Sequence, residues 1–359
     1  METIFIGIPA FNEEDIHQTI RTALGKAKEP QNVRIGIVLH YPKGDFPDLR
    51  MYPNVKVITV EDKVGLGTGL TRDLACSLYD GETYYLQIDA HTVFKPHWDE
   101  ILKRNYKELN KTVDKPIIST YVPYWYRDRK TGQPLTMFGT ADFDAPCETM
   151  WSLVTKGDPR ALDMQDPEKY RELVYGIEAV ESPAASAADF SQSNYEEEHV
   201  FAGHFMFTSG KYLEEVPFDP LTTYHEENTY PMRAWTRGYR IFNMKDHALW
   251  TREMYTKGRD VPGSWKSTYD VKDENGISFR DKVIEGTLRN KDILTGKVLG
   301  IWGAPTQELL DEYEKASGID YKKIYEKMYK TVEETGDKYL AARNLYELEQ
   351  KREREQANS

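Results

Sequence analysis

Cysteine is scarce in this chain. There are two in 359 residues, Cys76 and Cys147. They are far apart and in no ligand-type spacing, which excludes a disulfide framework and a cysteine-based zinc site. No apolar run approaches the roughly 20 residues a membrane-spanning helix needs. The opening METIFIGIPAFNEE has no basic stretch ahead of a long apolar one, so no signal peptide is expected. Positive charge is also short: 47 Lys and Arg against 59 Asp and Glu, a formal net charge of −12. That argues against non-specific binding of nucleic acid, whose affinity rests on neutralising phosphates. No internal repeat is visible. A soluble, cytoplasmic protein without a membrane partner is the expectation.

What the chain does have is apolar residues, 39%, and an excess of tyrosine, 24 against 13 Phe and 7 Trp. Most of these tyrosines will fill core and surface, though rings with a polar tip also suit sugar- and base-stacking clefts. Strand patterns occur at 3–8, 33–40 (VRIGIVLH), 55–60 (VKVITV) and 83–88 (TYYLQI), with helical patterns at 15–27 and 71–79 between them. Such alternation predicts an α/β fold with a doubly wound, mostly parallel sheet. Further on, a helix is expected at 98–109, strands at 116–123 and 201–209, a helix at 226–236 and a strand at 239–242. Residues 1–256 would form the main domain, with a polar excursion at about 124–195. Residues 257–303 read as a mobile polar loop and connection, and 304–359 as a helical C-terminal extension.

Ligands of such sheets bind beyond the carboxyl ends of the strands. The loops at 9–14, 61–72 and 89–92 all fall there. Asp89 and His91 end the TYYLQI strand two residues apart, so both can turn toward one point. A divalent cation there could also take phosphate oxygens and neutralise charge on a leaving group. By itself the pair is weak, since Asp and His are common in turns. The glycine-rich VGLGTGLTRD ahead of the preceding helix strengthens it.

Three blocks carry a family likeness: IPAFNEE; GLGTGLTRDLACSLYDGETYYLQIDAHTVF; and FAGHFMFTSGKYLEEVPFDP with EENTYPMRAWTRGY. With LGIWGAPTQELLDEYEKASGIDY they resemble the N-acetylglucosaminyltransferases that modify hydroxyproline on a cytoplasmic protein. More distantly, they resemble the polypeptide GalNAc-transferases. The likeness spans most of the chain outside 124–195 and the tail. It implies a GT-A fold, a UDP-sugar donor and a divalent metal (manganese, with magnesium as the alternative). It also implies a hydroxyl acceptor and retention of anomeric configuration.

Residue by residue, the resemblance assigns Asp89, His91 and His247 to the metal; for His247 a purely structural histidine is the competing reading. Glu226 and Glu227 match the family's carboxylate segment, with Glu226 expected to orient the sugar or the acceptor hydroxyl. Acidic residues also simply suit the first turn of a helix. His225 stands where glycine is usual, and His204 after Gly203 is a second departure, which leaves the sugar open. Gly203 and His204 would lie on the donor side, as would Asp89. Arg72 would meet diphosphate or base, the Pro9, Ala10, Asn12 and Glu13 loop would hold base and ribose, and Arg252 could reach phosphate.

Three other readings stay open. The enzyme could be an inverting transferase with Glu226 or Glu227 as general base. The acceptor could be a hydroxylated base in DNA instead of a protein. A nucleotide-sugar-binding pseudo-transferase is the non-enzymatic alternative. A two-metal nucleotidyltransferase would need more paired carboxylates than the one Asp-x-His supplies.

Overall fold

In the computed structural model the described residues are 2–128, 130–136, 140–143, 195–223, 226–252, 270–335 and 340–357. Four strands form the parallel heart of the molecule: β1 (Ile4–Phe11), β2 (Val33–His40), β3 (Val55–Val60) and β4 (Tyr84–Ile88). β1 is almost wholly buried, as expected of a strand covered on both faces, and its IFIGIPAF sequence is apolar without alternation. It pairs in parallel with β2 on one side and β4 on the other.

The sheet continues through β10 (Phe205–Ser209), β6 (Pro116–Ile118), β11 (Arg240–Phe242) and β9 (Glu197–Glu198), in the order β3-β2-β1-β4-β10-β6-β11-β9. β10 runs antiparallel to both of its neighbours. A second sheet, β5-β12-β7-β8, joins β5 (Thr92–Phe94), β12 (Leu249–Arg252), β7 (Tyr124–Arg127) and β8 (Pro134–Thr136). The first part of the expected excursion at 124–195 is therefore the β7–β8 hairpin. Residues 144–194 lie outside the described residues.

Helices cover both faces of the large sheet. α1 (Ile16–Lys26) and α3 (Trp98–Leu109) share a core cluster with Ile6, Ile35 and Leu86. On the other face lies α2 (Thr68–Cys76), and α4 (Tyr212–Glu215) and α5 (Glu226–Trp235) share a second cluster through Tyr212, Tyr230 and Ala234. α2 starts three residues before the expected helix at 71–79. Gly67 stands before it at φ +86°, where a Cβ would lie 2.6 Å from Thr223 Cγ2, so only glycine lets the loop turn there.

The expectation of a loop across 257–303 is corrected by α6 (Phe279–Leu294). Ser278 accepts the Asp281 N–H while Asp281 reaches back to the Ser278 N–H, a reciprocal cap of two donors that a helix start leaves open. Lysine, arginine and a mid-helix glycine hide the apolar spacing of Phe279, Val283, Leu288 and Ile293 in the sequence. Phe279 and Val283 close over Val64, burial worth about 1.5–3 kcal/mol per large side chain. Residues 253–269 lie outside the described residues.

The helical C-terminal extension is present as α7 (Gln307–Ser317), α8 (Tyr321–Thr335) and α9 (Leu340–Ala357). It shares its core with the earlier helices: Met232 of α5, Leu288 of α6 and Leu310 and Tyr313 of α7 form one cluster. Among the described residues, no helix is long and apolar enough to cross a membrane.

Candidate functional site

Because β1 and β4 are parallel neighbours, the loops that follow them emerge side by side. β1 ends at Phe11, and β4 ends at Ile88, one residue before Asp89. That adjacency brings Glu13 and His91 together, with Glu13 Oε2 2.9 Å from His91 Nδ1. The other edge of the same imidazole faces Asp89, Nε2 to Oδ2 being 3.8 Å.

The centre of the site is Arg72 on α2. Its Nη2 donates to Asp89 Oδ1 at 3.1 Å and to the Gly203 carbonyl at 2.8 Å, and its Nε donates to Glu226 Oε1 at 3.1 Å. Burial by itself would weaken the guanidinium charge, but the Glu226 and Asp89 carboxylates outweigh it and hold the Arg72 pKa above its ordinary value. Nη1 is buried with no partner among the described residues. A buried donor of this kind costs about 1–3 kcal/mol unless something accepts from it.

Asp89 answers the same balance. Burial pushes its carboxyl up, and the charges of Arg72 and then His91 bring it below the usual value. For His91 burial acts to lower the pKa, and Glu13, Asp89 and Asp15 together raise it above that of a free imidazole.

Gly203, just before β10, is the floor on which the acidic residues meet. Its N–H donates to Glu227 Oε1 at 3.1 Å, and its carbonyl accepts from Arg72 and, at 2.6 Å, from Gln87 Nε2. A Cβ added here would lie 3.2 Å from Glu227 Oε1 and 3.4 Å from Glu226 Oε1. Glu226 is bound on both oxygens, Oε2 accepting from Thr68 Oγ1 at 2.7 Å. Glu227 has no ion-pair partner among the described residues. Burial, reinforced by repulsion from Glu226, pushes its carboxyl up to about 7. His204 belongs to the same group. Burial lowers its pKa to about 4, so the ring is neutral, and its Nε2 accepts the Val122 N–H at 3.3 Å.

The structure thus gathers Glu13, Arg72, Asp89, His91, Gly203, His204, Glu226 and Glu227. It does not bring His247 to them. That ring packs edge-on against Trp250, with centroids 4.5 Å apart. Burial, with Lys95 as the nearest acting charge, lowers its pKa to about 3. Arg252 is likewise turned elsewhere. Its guanidinium pairs with Glu14 and Asp15, and its backbone N–H donates to the His91 carbonyl at 3.0 Å. Pro9 and Ala10 lie inside β1, Ala10 fully buried, and Asn12 turns the chain at φ +46°. His225 lies outside the described residues.

Sequence reasoning missed Thr68, Gln87 and Trp125. Gln87 did carry a signal, an amide in the middle of an otherwise apolar strand, since buried polar groups require partners. Trp125 carried none; its Nε1 donates to the His91 carbonyl at 3.0 Å.

The arrangement can hold part of a metal shell. Asp89 Oδ2 and His91 Nε2 stand close enough to share one cation, and a carboxylate behind the imidazole is the usual support for a metal-binding histidine. No group of three His, Cys, Asp or Glu side chains suited to a metal occurs among the described residues. Phosphate oxygens and water would have to complete the shell, as is common for magnesium.

Paired acidic groups thus surround one buried arginine at the carboxyl ends of parallel strands, the place where ligands of open α/β sheets bind. The model of the Glycosyltransferase (GlcNAc) family matches residues 46–332, most of the length, and the chain belongs to that family. It is a glycosyltransferase. No curated protein matches it in sequence. Among solved structures, S. aureus TarS 1-349 in complex with UDP-GlcNAc is 14% identical with a TM-score of 0.43, over 87% of this chain and 71% of that one. GalNAc-T7 with UDP, GalNAc and Mn2+ is 11% identical with a TM-score of 0.47, over 95% of this chain and 58% of that one.

Proposed function

We propose that this chain is a metal-dependent GT-A glycosyltransferase. It moves a hexose, N-acetylglucosamine in the first instance, from a UDP-sugar to a hydroxyl acceptor, with retention. The observation that carries the reading is the continuous line Glu226–Arg72–Asp89–His91, with both links to Arg72 at 3.1 Å, along the carboxyl ends of the parallel strands. Asp89 and His91 would hold the cation, manganese first and magnesium second, and a cation there would offset the negative charge of a diphosphate.

The protein groups have separate tasks. Arg72 orients Asp89 and Glu226 and offers Nη1 as a free donor. Glu226, tied down on both oxygens, shapes the floor. Glu227 is the carboxylate with capacity to spare, one oxygen on the Gly203 N–H and the other without a cation among the described residues. With departure of the nucleotide, positive charge grows at the anomeric carbon, and an anionic Glu227 would stabilise it. The acid surplus of the chain, a net charge of −12, weighs toward a protein hydroxyl over DNA.

One observation favours a second reading. A carboxyl held near 7 is matched to general-base work at neutral pH, which would make the enzyme inverting through Glu227. The deciding experiment has two stages. A thermal-shift screen of UDP-, GDP- and dTDP-sugars with and without manganese should show stabilisation by UDP-sugars only, and only with the cation. NMR of the glycosylated product should then show the donor's anomeric configuration. Equal stabilisation without metal ends the metal reading, and an inverted product ends retention.

A further inference from the structure

The carboxylate that the β1 loop sends into the site has both oxygens in use. Glu13 Oε1 accepts the Asp15 N–H at 3.0 Å, and Oε2 lies 2.9 Å from His91 Nδ1. The side chains of Glu13 and His91 are each 12% exposed, so water competes little for this contact. Each oxygen of Glu13 is thus already engaged with the protein, and Oε2 is turned to the imidazole.

The main chain around His91 is fixed with equal care. The Asp89 carbonyl accepts from Thr92 Oγ1 at 2.8 Å, and the Ala90 carbonyl from Thr19 Oγ1 at 2.6 Å. The His91 carbonyl accepts twice, from Trp125 Nε1 and from the Arg252 N–H, both at 3.0 Å. With all three carbonyls of the turn secured, what remains to be set is the rotation of the imidazole and the nitrogen that carries its proton. An ionised carboxylate only accepts, so a hydrogen bond to Nδ1 requires the proton to be there. In the neutral ring this leaves the lone pair on Nε2, which is the edge turned toward Asp89.

We propose that Glu13 is a positioning residue, not a nucleotide contact: it fixes His91 as the Nδ1–H tautomer and so presents Nε2, beside Asp89, to a divalent cation. The inference rests on the metal-dependent reading given above. Outer carboxylates of this kind orient the ring and raise the basicity of the ligating nitrogen, and their loss commonly weakens metal binding by about 10–100-fold.

The test has a readout that needs no metal and no turnover. The imidazole 15N shifts of His91, assigned by their loss in His91→Gln, report the tautomer of the neutral ring in the metal-free protein. The wild type should show Nδ1–H and the Glu13→Ala variant a mixture. In the presence of UDP, Mn2+ affinity followed by electron paramagnetic resonance should fall by about 10–100-fold in Glu13→Ala. It should fall less in Glu13→Gln, which keeps an acceptor oxygen at Nδ1. Affinity for UDP without Mn2+ should be unchanged in both variants.

An Nε2–H tautomer in the wild type overturns the proposal, as does a Glu13→Ala protein that retains its Mn2+ affinity. Equal loss of UDP affinity with and without Mn2+ would make Glu13 a nucleotide contact, which also overturns it. If the wild type binds no Mn2+ beside UDP, the metal-dependent reading fails, and the tautomer still decides the role of Glu13. The wild-type spectrum decides it as well if the alanine variant does not fold.

Discussion

Glu226 and Glu227 are neighbours in the chain and sit in opposite situations. Glu226 rests on Arg72 at 3.1 Å and on Thr68 at 2.7 Å, while among the described residues Glu227 holds only the Gly203 N–H at 3.1 Å. Two carboxylates at the start of one helix thereby divide into one tied to Arg72 and Thr68 and one tied only to a main-chain N–H among the described residues.

This division reverses the order that the family likeness implies for the two. Glu227→Gln keeps an acceptor for the Gly203 N–H and removes the charge. It should lower kcat by about a hundredfold or more with little change in donor affinity, the signature of an interaction made only in the transition state. Glu226→Gln should chiefly lower the melting temperature and weaken donor binding, because it leaves the buried Arg72 short of charge. Steady-state kinetics and isothermal calorimetry on both variants separate these outcomes. Near-wild-type turnover in Glu227→Gln would return the leading role to Glu226.

The same residue predicts a pH dependence of stability. The Glu227 carboxyl is raised from 4.5 to about 7 by burial and by Glu226. The folded state therefore binds the proton more tightly than the unfolded state. Its contribution to stability is full below 4.5 and is lost as pH rises through 7. Glu227→Gln, always neutral, should gain melting temperature over the wild type at pH 8 and match it at pH 4. Denaturant titrations at the two pH values check this, and an equal difference at both would remove Glu227 as the cause.

His247 and His204 act in the opposite direction. Burial lowers them to about 3 and about 4. Each contributes stability that is present above 6.5 and lost as pH falls through the folded-state value, with a slope approaching about 1.4 kcal/mol per pH unit per group. His247→Leu should flatten the acid limb of the stability curve. Since the ring sits against Trp250 and not beside Asp89, the same variant should leave Mn2+ affinity unchanged. A weakened affinity would restore His247 to the metal shell.

Asp89→Asn and His91→Ala should each yield a folded protein in which calorimetry finds no metal-dependent binding of UDP-sugar. Unchanged binding in both variants would show that the cation lies elsewhere.

Packing around the glycine-rich loop gives a structural prediction. A Cβ on Gly69 would lie 2.1 Å from the Thr222 carbonyl and 2.4 Å from that of Asp219, both backbone atoms. Gly69→Ala should cost about 1–3 kcal/mol by overpacking, read as a lowered denaturation midpoint. It should also disturb Thr68 and hence Glu226. Gly25→Ala, with open space around it, should be neutral or stabilising.

The sequence by itself determined the α/β class, the bounds of β2, β3 and α3, and the position of Asp89 just beyond β4. Those features are local: an unbroken apolar run, a helical period, a polar residue where the run stops. It also marked most of the residues that meet at the site, through their motifs. Only the tertiary structure decided what each does there. Glu13 reaches His91 because β1 and β4 are parallel neighbours, and Glu226 is occupied because α2 brings Arg72 and Thr68 against α5. α6 was hidden because its charged, glycine-containing sequence becomes helical through a reciprocal cap and burial of Phe279 and Val283. His247 reads as a ligand in its motif and becomes a core ring in the fold, because pairing of β12 with β5 leaves it against Trp250. Long-range pairing of this kind depends on which strands become neighbours, and no single stretch of sequence contains that information.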